Sequence, residues 1–155
     1  MQFNSDNLED LYPLSPMQQG MLFHTVYERE SGPYFEQSVF TLEGELDVAS
    51  FQRAWQFVVD RHPILRSSFM WDLEKPLQVV HRKVAIKIHE QDWRDQPPER
   101  HGPSLQEYLA EDRHRGFDLG TAPLIRLALF RTADTTYKFV FSRHHMGIVV
   151  KHVRT

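Results

Sequence analysis

The sequence predicts a mixed α/β sandwich, with a mainly antiparallel or mixed sheet flanked by helices. Two observations lead there. Helix and strand patterns follow one another in the order α-β-α-β-β-β-α-β-β, without the regular alternation of a doubly wound parallel sheet. The chain also has 155 residues, 41% hydrophobic and 25% charged, enough for one domain with a sizeable core.

The first helix opens at Ser15-Pro16-Met17-Gln18. Ser15 suits an N-cap, Pro16 the first helical position, and Gln18 completes a capping box. Met17, Met21, Leu22 and Val26 recur at helical spacing as a core stripe, and Gly32-Pro33 stops the helix. Tyr34 to Leu42, closed by Gly44, reads as a strand. Asp47 caps a second helix, with Val48, Phe51, Trp55 and Val58 on one face and Pro63 beyond its end. Strands are expected at Leu65 to Trp71, Leu77 to Val80 and Val84 to His89. Asp95 to Pro103, with three prolines and a glycine, reads as a loop. Ser104 and Glu107 form a second capping box before a helix that ends near Gly116. Leu124 to Phe130 and Tyr137 to Phe141 are the strongest strands, joined as a hairpin through Thr132 to Thr136. Residues 1–10 read as a polar lead, 11–145 as the folded unit and 146–155 as a divergent tail.

Composition narrows the function. The formal charge is −3, from 18 Lys plus Arg against 21 Asp plus Glu, without the basic excess of a nucleic-acid binder. No cysteine is present, which removes disulfides, thiolate metal sites and a Cys nucleophile. No apolar run reaches membrane-spanning length and the N-terminus lacks a signal peptide's pattern, so the expected address is cytoplasmic. There is no Gly-rich phosphate loop, no G-x-S-x-G and no H-E-x-x-H. His24, His81, His89, His101, His114 and His152 read as solvated surface imidazoles. His144-His145 stands apart, at the end of the last strand. Strand neighbours point to opposite faces, so one should face the core and the other a cleft, and the pair is ill placed to chelate one metal. A histidine there could act as a base near neutral pH, although no partner acid is evident from the spacing. Arg61 and Arg66 read, on residue pattern alone, as charges at the second helix's C-terminus.

Three segments in order resemble the core motifs of condensation domains of non-ribosomal peptide synthetases. Residues Ser15 to His24 resemble the opening S-P-M-Q-x-G-M-L-F-H motif, Arg61 to Phe69 resemble R-H-x-x-L-R-x-x-F, and His144-His145 resemble the start of H-H-x-x-x-D-G. Phe117-Asp118-Leu119 and Pro123-Leu124-Ile125-Arg126 resemble the F-D-L…P-L-x-R segment between them. The resemblance spans Leu11 to His145. It implies the N-terminal half of a chloramphenicol-acetyltransferase-like fold whose active site is a tunnel between two halves. It also implies amide formation, in which an acceptor amine attacks a donor thioester. Both substrates would arrive on the 4'-phosphopantetheine arms of peptidyl or aminoacyl carrier proteins, with no intrinsic cofactor or metal, no nucleic acid and no membrane.

By resemblance His145 is the functional histidine, positioning or deprotonating the amine or stabilising the tetrahedral intermediate. His144 is its structural neighbour, and Arg61 or Arg66 shapes the site by pairing with the motif's Asp. Here the motif's Asp and Gly positions hold Val149 and Val150. An arginine deprived of that carboxylate is expected to be costly if buried. The pattern is lost after Met146 and the chain ends at Thr155, which reads as a truncation or frameshift. Such a half, without the C-terminal subdomain and adjacent synthetase domains, is expected to be inactive alone. A non-catalytic carrier-binding remnant and an acyltransferase of the wider H-H-x-x-x-D superfamily are the alternative readings.

Overall fold

The computed structural model describes residues 5–27, 32 and 34–148. Among these, seven strands and three α-helices run in chain order: β1 Leu8–Pro13, α1 Pro16–Tyr27, β2 Phe35–Glu43, α2 Val48–Arg61, β3 Ser67–Met70, β4 Leu77–His81, β5 Ile88–Asp92, α3 Pro98–Arg115, β6 Ile125–Ala133 and β7 Thr136–His144. They build a three-stranded antiparallel sheet, β1-β4-β3, and a four-stranded sheet, β2-β7-β6-β5, in which only β5 runs parallel to its neighbour. This is the expected mixed α/β sandwich.

Alternation along the strands explains the layers. On β6, Ile125, Leu127 and Leu129 join Val59 of α2, and Tyr137 and Phe139 of β7, in one core. The intervening Ala128 and Phe130 pack with Val140 and Trp93 against Leu105, Tyr108 and Leu109 of α3. The larger sheet thus lies between α2 and α3. A third core joins α1 to the smaller sheet through Leu14, Met21, Leu22 and Phe69, and takes in Leu124 and Met146 from the end of the larger sheet.

The Ser15 capping box forms as read: Gln18 N donates to Ser15 Oγ at 3.2 Å, and Ser15 N donates to Gln18 Oε1 at 2.9 Å. Asp47 likewise accepts from Ala49 N. The β6–β7 hairpin pairs Ala133 with Thr136 across a tight turn.

Several expectations are corrected. Residues 8–10, read as the end of the polar lead, belong to β1, a strand hydrogen-bonded to β4. Met17 is 65% exposed, because buried Gln18 takes the inward position and bonds to Gln78 of β4. Residues 63–66 form a 3-10 turn, so β3 begins only at Ser67. The strand expected at Val84 to His89 lies further on, at Ile88–Asp92. The loop expected up to Pro103 is the first part of α3, which starts at Pro98. Ser104 therefore does not cap the helix; its hydroxyl donates to Gln96 Oε1 instead. His81 and His101 are half-buried rather than solvated. The first meets the Ser68 hydroxyl at 2.8 Å, the second the Trp93 carbonyl at 2.9 Å. His152, and Pro33 of the expected helix stop, lie outside the described residues.

Candidate functional site at the end of the central hairpin

β7 ends at His144, and a short 3-10 turn, His145–Gly147, follows. Both backbone N–H groups are held. His144 N donates to Leu124 O at 3.0 Å and His145 N to Tyr34 O at 2.8 Å. The two side chains then diverge, as strand geometry requires.

His144 is 4% exposed. Its Nδ1 accepts from Met146 N at 3.2 Å, so the neutral ring carries its proton on Nε2. That nitrogen lies 3.4 Å from Thr25 Oγ1, whose own proton goes to Met21 O. Burial, and then the charge of neighbouring His145, pull the His144 imidazole down from 6.5 to about 4. His144 is therefore neutral at physiological pH. It lines a cavity of about 470 Å³ with Thr25, Phe35, Trp71, Arg113 and Phe117.

The His145 side chain is 45% exposed. Its Nδ1 lies 3.5 Å from Glu36 Oε1. The other oxygen of Glu36 takes Arg143, through Nε at 2.7 Å and Nη2 at 2.6 Å. Glu36 lies directly opposite Arg143 in the β2–β7 register. A carboxylate beside Nδ1 favours the tautomer that leaves the lone pair on Nε2. Tyr34 flanks both histidines, with ring centroids 6.2 Å and 6.4 Å away.

Glu36 is thus the nearby acid that spacing did not reveal. Its place depends on pairing between strands about a hundred residues apart in sequence, which leaves no local signal.

The arginines lie elsewhere. Arg61 is exposed in the last turn of α2. Arg66 is 5% exposed and pairs with Glu9 of β1 at 2.5 Å, while donating to the carbonyls of His81 and Arg82. Its carboxylate partner thus comes from β1, which supplies the counter-charge, while its buried Nε has no hydrogen-bond partner among the described residues. None of these partners belongs to the His144–His145 group. Val149 and Val150, the positions of the motif's Asp and Gly, lie outside the described residues. Among the described residues, no group of three or more His, Asp or Glu side chains could hold a metal ion, and no helix is long and apolar enough to cross a membrane.

The comparisons with known proteins agree with the fold. The chain is 49% identical over 141 residues to a linear gramicidin synthase of Brevibacillus parabrevis, covering 90% of this chain and 2% of that one. It is 36% identical over 147 residues to bacitracin synthase 3 of Bacillus licheniformis, covering 94% of this chain and 2% of the relative. The chain therefore spans a small part of these synthases. Among solved structures, the starter condensation domain of rhizomide synthetase superposes with a TM-score of 0.78 at 22% identity, over 89% of this chain and 34% of that one. A four-domain nonribosomal peptide synthetase bound to AMP and glycine gives 0.77 at 20% identity, over 92% of this chain and 11% of the other. Residues 8–149 match the family described as Condensation domain, and the chain belongs to that family.

Proposed function

We propose that this chain is the N-terminal half of a condensation domain that forms amide bonds in non-ribosomal peptide synthesis. The acceptor amine attacks the donor thioester carbonyl, the C–N bond forms, the C–S bond breaks, and the phosphopantetheine sulfur leaves and takes up the amine's proton. His145 acts on this step by positioning or deprotonating the amine, or by stabilising the tetrahedral intermediate. His144, fixed and neutral, holds the strand end. On this reading the chain works in the cytoplasm, its partners are peptidyl or aminoacyl carrier proteins, and it needs a C-terminal half for activity.

The observation that carries the reading is a half-exposed His145 with Glu36 at its Nδ1, at the end of β7. The test is amide formation between a loaded donor carrier protein and a loaded acceptor carrier protein, read by mass spectrometry. The chain is run alone and with a separately expressed C-terminal half of a related condensation domain. Product is expected only in the complemented mixture, and His145→Ala should lower it by about 10²-fold or more. No product in that mixture would point to a non-catalytic carrier-binding module, and product indifferent to His145→Ala would overturn the role given to His145.

A further inference from the structure

We infer that Asp112 is a positioning residue for His145, its buried carboxylate clamping α3 to three adjacent strands one row before the histidines. The inference rests on the reading of His145 as the functional histidine.

Asp112 is wholly buried near the end of α3. Ser142 of β7 lies opposite Gln37 of β2 on one side and Arg126 of β6 on the other. These three side chains form a row across the sheet, and all three donate to the same carboxylate. Gln37 Nε2 lies 2.8 Å from Oδ2, Arg126 Nε lies 2.7 Å from Oδ1, and the Ser142 hydroxyl also donates to Oδ2. Arg126 reaches further, to the carbonyls of Asp112 and Gly116, and its guanidinium lies 4.1 Å from the Phe117 ring centroid. Charge-assisted bonds of this kind offset the cost of burying the carboxylate.

The clamp's place matters more than its strength. Residues two apart on a strand share a face, so the next row on this face is Phe35 opposite His144. Glu36 directly precedes Gln37 on β2, and His145 comes three residues after Ser142 of β7. The 3.5 Å approach of Glu36 to His145 is therefore set by the relative placement of two strand ends. Gln37 and Ser142 fix both ends to one carboxylate on α3. A small shift of either strand would change how the His145 ring is aimed.

The test is amide hydrogen exchange on the full chain carrying Asp112→Asn, and separately the milder Ser142→Ala. In both, exchange at His144 and His145 should rise about tenfold relative to Phe139 and Val140 earlier on the same strand. The two substitutions combined should be non-additive, since both act on one cluster. In the complemented amide-forming mixture, kcat per folded chain should fall about tenfold while KM for the acceptor carrier is unchanged, the folded fraction of each variant being measured by circular dichroism so that lost stability is counted separately. A uniform rise along β7, or no rise, overturns the inference. Ser142→Ala decides the matter if Asp112→Asn does not fold. Amide formation indifferent to His145→Ala overturns the functional reading instead, a result distinguishable from the exchange profile.

Discussion

The His144 imidazole ties the site's protonation state to the stability of the whole chain. Folding lowers its pKa from 6.5 to about 4, first through burial and then through His145. Between these values the unfolded chain binds a proton that the folded chain does not. The sign follows: this contribution is whole above pH 6.5 and is lost as pH falls toward 4, at about 1.4 kcal/mol per pH unit, ~3 kcal/mol in all. His81 shifts the same way, through burial and then Arg66, so the absolute slope is not due to His144 alone. The difference between the wild type and His144→Gln isolates it. Urea midpoints from pH 7 to 4 should fall less steeply in His144→Gln, and parallel curves would show that His144 is not held neutral. The divergence of the two histidines was legible in the sequence, because strand alternation is a local rule. The carboxylate beside His145 was not, because a register between distant strands decides it.

At the scale of elements, β1 shows how a strand escapes notice. Its sequence, Leu8–Pro13, carries Glu9 and Asp10 and exposes most of its side chains, so no period-2 apolar pattern marks it. Backbone pairing to β4 and the Glu9–Arg66 pair hold it. Arg66 is nearly buried while the Glu9 side chain is 40% exposed, so the pair is worth less than a fully buried one. Glu9→Gln is expected to cost about 1–2 kcal/mol. Combining Glu9→Leu with Arg66→Met should cost less than Glu9→Leu alone, because no uncompensated charge stays buried. Denaturant unfolding of the set checks this, and additive losses would rule it out. The start of α3 was hidden for a different reason. Pro97, Pro98 and Pro103 look like loop residues, yet Pro98 lies in the first turn, where no intrahelical N–H bond is required. The turn after His145 depends on a glycine for space. A Cβ on Gly147 would come within 2.8 Å of Leu124 Cβ, so Gly147→Ala is expected to cost about 1–3 kcal/mol in thermal unfolding. Wild-type stability in that variant would mean the turn can move away from β6 freely.

At the scale of the molecule, two sheets of unequal security share one seam, and the histidines lie on it. β6 and β7 are each paired on both sides and sandwiched between the cores of α2 and α3. The smaller sheet has one internal strand, β4, and depends on the core it builds with α1. Leu124 and Met146 carry that core across to the end of the larger sheet. By sequence Met146 opens a divergent tail, yet it is fully buried directly after His145. A single methionine after the last strand has no periodicity to place it, so this burial left no trace in the pattern. Met146→Ala removes the seam's filler and is expected to cost about 2–5 kcal/mol. The loss should also be unequal. Hydrogen exchange should accelerate more at Phe69, a member of the seam core, and at Val79 on the strand paired with it, than at Leu129 and Val140 of the larger sheet, which belong to the other two cores. Equal acceleration would mean that both sheets open as one cooperative unit, and that the turn bearing His145 is held by the whole fold rather than by the seam beneath it.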